Sequence, residues 1–339
     1  MTTYYPIHPQ PFSNESFSSW LIRLIRGNIG DQPLHRFIRL EFGKGASIWN
    51  RDTDRSVAPQ ILSRLSERTG RSVAGIKSLL ISDYQGVVFE KHNPNGGNRW
   101  VLPIGVYHRT RRLFGQQWCP MCLSTDPKPY YRKSWRMAFS SSCSIHGRLL
   151  ADRCKHCQKP CIPHRGSFLK CHECNADLTK QKTILADSIA LQAEYKLNMR
   201  SIDGQTALYS ESGLHPILYF DIWYQILGLL TFSKRSQLLR RNICRHYGGK
   251  DFLRELTPVC RSFEYLDVEQ RHCIMALAGR LMEGWPFRFV GLCAESEVWS
   301  SCVLKDMKPI RFELYNIAKT YLVGPLVRSN PTLKPQQLL

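Results

Sequence analysis

The chain has 339 residues, 43% of them apolar and 22% charged, which argues against a disordered chain and leaves room for two or three packed units. Its formal net charge of +20 points to a polyanionic partner, most simply nucleic acid or a nucleoprotein complex. With neither a basic-then-apolar leader nor an apolar run of about 18 residues, no secretory signal or membrane span is expected. In the reducing cytoplasm this implies, thirteen cysteines mean metal rather than disulfides.

The opening Pro6-Ile7-His8-Pro9-Gln10-Pro11 is extended, because proline disfavours helix in the residue before it. Ser13 or Asn14 then caps a helix, with Glu15 in its first turn. Phe17, Trp20, Leu21, Leu24 and Ile25 form one apolar helical face, which Gly27 and Gly30 end. A second helix fits Leu34–Phe42 and closes at Gly43. Pro59 suits the first turn of a third, whose buried face is Ile61, Leu62 and Leu65. Gly70 stops it, and Ser72 caps a fourth lined by Val73, Ile76, Leu79 and Leu80. Two short helices across a glycine turn make a helix-turn-helix pattern. Asn93–Asn98 is a loop by turn chemistry. After Thr183 the chain reads helical again, over Ile184–Met199, Pro216–Leu230, Ser236–Tyr247, Val268–Met282 and Pro309–Leu322.

Between these regions lie four half-sites, each with two intervening residues: Cys119/Cys122, Cys143/His146, Cys154/Cys157 and Cys171/Cys174. Zinc takes four such ligands at tetrahedral corners, and a Cys-x-x-Cys knuckle supplies two of them. Taken in order, the first four residues hold one zinc and the last four a second. Both sets are saturated by protein ligands, so both ions are structural and stand in for a core that some sixty residues cannot build alone. Cys161, His156, His164 and His172 lie close enough to compete, Cys161 most seriously. Cys244, Cys260, Cys273, Cys293 and Cys302 read as buried small hydrophobes.

The whole is a mainly α, multidomain chain. It has an N-terminal helix-turn-helix domain (1–118), a central pair of small zinc-binding modules of ribbon or finger type (119–182), a C-terminal helical domain (183–324) and a loose tail (325–339). The middle segment is the most basic per residue, at +8 against +8 for residues 1–118 and +4 for 183–339. Candidate nucleic-acid or partner contacts are Arg109, Arg111, Arg112, Arg132, Lys133, Arg136, Arg240 and Arg241. Trp135 fits better as an aromatic buried over the metal in a small β-hairpin. The fourth helix offers Lys77, Ser72 and Ser78, poor base-reading chemistry, so packing or protein contact suits the helix-turn-helix better. No Walker loop, His-Glu-x-x-His motif, nucleophile elbow or spaced acidic triad is present, and no enzyme is expected.

Several of these residues together resemble the TniQ/TnsD family. They are Pro11-Phe12-Ser13-Asn14-Glu15-Ser16-Phe17-Ser18-Ser19-Trp20-Leu21-Ile22-Arg23, Trp118-Cys119-Pro120 with Cys122-Leu123, Tyr130-Tyr131-Arg132 with Trp135-Arg136, and Cys143 with His146-Gly147 and Leu149-Leu150. The Cys154/Cys157 knuckle and Gly284-Trp285-Pro286-Phe287 extend the likeness; the extra Cys161 and a shorter C-terminal region depart from it. The resemblance implies a role in Tn-seven-like transposition in a bacterial cytoplasm. Family members select the target site and recruit an AAA+ regulator (TnsC-like). Shorter TniQ-type members can be homodimers on a CRISPR Cascade-type effector; longer TnsD-type members read attachment-site DNA directly. The reading that follows is an adaptor, with direct sequence-specific DNA binding as the alternative. Its docking surface is expected on the N-terminal helices around Phe17–Ile25 and on the basic zinc segment.

Overall fold

The computed structural model describes residues 4–46, 48–108, 110–202, 214–233, 235–251, 262–305, 307 and 311–324. Arg109, Lys234, Cys260 and the tail 325–339 lie outside these. The described residues are mainly helical and divide into two compact units, Met1–Leu185 and Ala186–Leu339. Segments 1–118 and 119–182 therefore lie together in one unit. Among the described residues, no helix is long and apolar enough to cross a membrane.

In the first unit, α1 (Phe17–Ile29) starts at Ser16, whose hydroxyl accepts from the Ser19 N–H. The expected cap at Ser13 or Asn14 is thus two or three residues early. Asn14 sits at φ 57, its carbonyl accepting from Lys133 N (2.6 Å) and its side chain donating to Ser134 Oγ (2.7 Å). Glu15 is buried, accepting from Phe12 N, Ser19 Oγ and Arg23 Nη1. Phe17, Trp20, Leu21, Leu24 and Ile25 are all fully buried, as their spacing demands. Gly27 does not end the helix: a Cβ there would meet Ile7 Cγ2 at 2.7 Å, so the glycine admits Ile7 and Gly30 makes the stop.

Helix α2 (Leu34–Phe42) stops at Gly43 as expected. Helix α3 (Pro59–Thr69) begins on Pro59 and ends on Gly70 in the left-handed region, and α4 (Val73–Lys77) is capped by Ser72. Helix α4 is a turn and a half long, because Leu79 and Ile81 leave the axis to bond elsewhere: Leu79 O accepts from Phe17 N, and Ile81 N donates to Asp54 O. Helix α5 is Pro120–Thr125. Two antiparallel pairs complete the unit. Strands β1 (Val106–Tyr107) and β2 (Thr110–Arg111) pair Val106 with Arg111; β3 (Ser142–Cys143) and β4 (Arg148–Leu149) pair Cys143 with Arg148. Where a hairpin was expected around Trp135, residues Lys133–Arg136 form a 3₁₀ turn.

The second unit is built on α9 (Val268–Met282), buried on nearly every side. It packs against α6 (Ser188–Ile202), α7 (Pro216–Phe232), α8 (Ser236–Tyr247) and α10 (Phe287–Glu295). At its crossing with α6, a Cβ on Gly279 would meet Ile189 Cγ2 at 2.7 Å, so glycine sets the approach. Helices α11 (Ser300–Val303) and α12 (Phe312–Tyr321) follow. The expected C-terminal helices are found, α6 shifted a turn later, while α10 and α11 carried no sequence expectation.

Candidate metal centres

The first cluster is assembled by a two-bond clasp between distant segments. Trp118 N donates to Ala151 O (2.9 Å) and Ala151 N to Trp118 O (2.8 Å), which sets Cys119 beside the β3–β4 hairpin carrying Cys143 and His146. Buried Gln117 adds to the clasp, donating to Trp135 O and Ser140 O. Cys119 caps α5, and its sulfur accepts from Cys122 N at 3.4 Å.

The knuckles share one backbone device. Gly147 (φ 59), Gln158 (φ 58) and Asn175 (φ 58) each stand four residues after a cysteine, in the left-handed region. Each donates its N–H to that cysteine's carbonyl, at 2.8, 2.8 and 2.9 Å for Cys143, Cys154 and Cys171. The turn curls the chain so that both ligands of a knuckle face inward. The fourth knuckle replaces this turn with α5, in which Leu123 N bonds Cys119 O.

The ligand atoms of Cys119, Cys122, Cys143 and His146 lie within 4.8 Å of one another, as do those of Cys154, Cys157, Cys171 and Cys174. In the first cluster Cys122 Sγ is 3.5 Å from Cys143 Sγ and 3.3 Å from His146 Nδ1; His146 Nδ1 is 3.5 Å from Cys119 Sγ and 3.6 Å from Cys143 Sγ. In the second, Cys154–Cys174 and Cys157–Cys171 are each 3.7 Å. A tetrahedron with metal–sulfur bonds of about 2.3 Å has sulfur–sulfur edges of about 3.8 Å, and sulfur–nitrogen edges slightly shorter. A disulfide would be about 2.05 Å. The spacing therefore fits four ligands around one ion in each cluster.

The electrostatics fit as well. Hydrogen bonds from the thiols of Cys119 and then Cys122 hold Cys143 down to about 2, while Cys122 is pushed far up by its bonds with Cys119 and Cys143 and by burial. Cys119 is raised to about 11 and Cys157, chiefly by burial, to about 12. Without a cation such a cluster ionises one thiol at the expense of its neighbours; a divalent ion lets all ionise together.

The rivals stand apart. Cys161 belongs to neither cluster; it is buried beside Tyr131 Oη at 3.3 Å, and burial pushes its thiol up to about 12. His156 is exposed, His172 pairs with Glu173, and His164 stacks on Trp49 with ring centroids 4.5 Å apart. Cys161→Ser should therefore keep both ions, its hydroxyl taking over the Tyr131 contact, at a cost of about 1–2 kcal/mol. Metal analysis checks this: loss of one ion per chain would make Cys161 a ligand.

The match to known families follows this geometry. Residues 6–150 match the TniQ family model. They are a TniQ domain. The match includes the whole Cys₃His cluster and stops short of the Cys₄ cluster, and a TniQ domain implies a transposon-associated role in target selection. None of the curated proteins compared matches the chain.

Half of the basic residues expected to face a partner are instead structural. In the TniQ domain, Arg136 is 1% exposed and held by Asp52 and Asp54. Arg132 pairs with Asp126 and lies over Tyr130 and Trp135. Lys133 donates to Asp83 and to Ser78 O. Beyond the domain, Arg240 is buried on Asp251 and Leu230 O. Cations between aromatic residues look alike whether they face solvent or a buried carboxylate, and the carboxylates here are some 50–80 residues away for Lys133 and Arg136. Arg112 and Arg241 are exposed, the former over the Tyr107 ring at 3.6 Å, and Arg111 is half-buried, donating to Trp49 O.

Proposed function

We propose that both clusters hold structural Zn²⁺ and that the protein is a non-catalytic target-selection adaptor. It links a target-bound complex, RNA-guided and of Cascade type, to the AAA+ regulator of transposition, and it works as a cytoplasmic homodimer. Cysteine-rich, fully protein-ligated tetrahedra suit zinc and leave no open coordination position for a reacting water.

The observation that carries the adaptor reading is the shape of α4. It is five residues long, Ile76 is buried, and its exposed polar groups are Ser72, Lys77 and Ser78. Base readout needs a helix presenting arginine, asparagine or glutamine to the major groove. Helix α8, the other candidate, has Arg240 buried, Arg245 paired with Glu295, and Arg235 beside it on Glu297. The net charge favours a second reading, a TnsD-type protein that binds its site directly. Selection from a random duplex pool at about 0.2 M salt separates the two. The adaptor enriches no sequence and co-elutes with the AAA+ regulator; an enriched site surviving that salt makes the protein a direct reader.

A further inference from the structure

Among the described residues of the first unit, the buried arginines Arg132 and Arg136 each meet a carboxylate. Around one cavity, of about 30 Å³ and lined among others by Trp49, Arg51, Asp52, Asp54, Arg111, Arg136 and His164, cations outnumber carboxylates: four guanidinium groups face two carboxylates, counting the neighbouring Arg165. Arg136 takes both Asp52 and Asp54, and Ser18 donates to Asp54 from its backbone and its hydroxyl. Arg51, Arg111 and Arg165 pair with no carboxylate among the described residues. Arg51 and Arg165 are exposed, and Arg111 bonds backbone carbonyls alone, those of Thr110 and Trp49.

Three further observations have the same sign. The indole N–H of Trp49 is buried and has no acceptor among the described residues. Burial, then Arg136 and Arg165, lowers Arg111 to about 10 despite Asp52 and Asp54. Burial, then Arg111 and Arg165, lowers His164 to about 3. The site offers donors and positive potential with nothing to receive them. A water needs roughly 10–15 Å³, so the cavity admits one or two oxygen-sized groups and neither a base nor a sugar.

We propose that this mouth seats one backbone phosphate of a bound nucleic-acid strand. Two phosphate oxygens accept from Trp49 Nε1 and the Arg111 guanidinium, while Arg51 and Arg165 flank the entrance. The contact is blind to sequence: it positions the strand and reads no base. The choice of nucleic acid over another polyanion rests on the target-selection reading. The test uses purified full-length protein without transposition partners, so it succeeds or fails independently of the partner experiment.

The probe is a fluorescein-labelled random 20-base-pair duplex, followed by anisotropy across a salt series. Arg51→Gln with Arg165→Gln alters two exposed, unpaired side chains and should leave the fold intact. It is expected to weaken binding roughly tenfold at low salt and to flatten the log–log salt slope by up to about 1, the share of one phosphate. Trp49→Phe keeps the stack on His164 but removes the donor, and should cost roughly tenfold. Arg36→Gln with Arg39→Gln, on exposed positions of α2, should bind as wild type. A wild-type slope in the Arg51/Arg165 variant, an equal loss in the α2 pair, undiminished affinity in Trp49→Phe, or displacement of the duplex by a polyglutamate peptide as readily as by unlabelled DNA would each overturn the proposal.

Discussion

Cys143→Ser should empty the first metal site and strongly destabilise the first unit. Cys143 closes β3, faces Cys122 and His146, and starts the Gly147 turn. Structural zinc contributes about 10–16 kcal/mol in small zinc-bound peptides, whereas whole domains are stable by about 5–15 kcal/mol. Losing even half the metal term, about 5–8 kcal/mol, would remove much or all of that margin. The clasp at Trp118–Ala151 and the Trp118 side chain, fully buried, tie this loss to the common core of residues 4–185. Metal content should fall from two ions to one, with early exchange of amides through α1 and β3–β4. Helices α6 to α12 belong to the other unit and should keep their protection. A variant with one ion and the wild-type urea midpoint would show the site to be dispensable for folding.

Arg136→Ala should be the most damaging substitution away from the metal. The guanidinium donates to Asp52 Oδ1 (3.0 Å) and Oδ2 (2.7 Å), Asp54 Oδ2 (3.3 Å) and Leu102 O (3.0 Å). Removing one partner of a buried ion pair typically costs about 3–5 kcal/mol, because the other charge stays behind in low dielectric. For a unit of this size that lowers Tm by roughly 10–15 °C. The pH dependence identifies the cause. Burial already raises the Asp54 carboxyl while Arg136 opposes the rise, so without Arg136 it climbs further. The folded variant then binds a proton that the unfolded chain does not hold until about pH 4. Its deficit should therefore shrink as pH falls from 7 towards 4. Thermal unfolding at several pH values checks this; a deficit independent of pH would mean that lost packing, not the stranded carboxylates, is responsible.

The ligand sets were legible in the sequence because the information is local: two residues between ligands fix each half-site, and order pairs the half-sites. Helices with unambiguous punctuation were legible for the same reason. Helix α2 between Pro33 and Gly43, and α8 before Gly248, fall on their expected limits. Gly27 misled because a glycine admitting a neighbour's side chain looks the same in sequence as one ending a helix. Asn14 misled because its bonds go to Ser134, 120 residues away. Arg132, Lys133, Arg136 and Arg240 failed as surface cations because charge is local in sequence and its compensation is not. Helix α10 begins just after Trp285-Pro286, where a family likeness was noted but no periodicity was read. The left-handed turns at Gln158 and Asn175 had no glycine to announce them; a polar residue four after the first cysteine was the available signal.

We propose that two ions, held by eight side chains in sequence order, support the fold of the TniQ-bearing unit. Native mass spectrometry of the untagged full-length chain tests it most directly. Two zinc ions per chain are expected, unchanged in Cys161→Ser and reduced to one in either Cys143→Ser or Cys171→Ser. A folded wild-type chain carrying no zinc, or one ion alone, would contradict it.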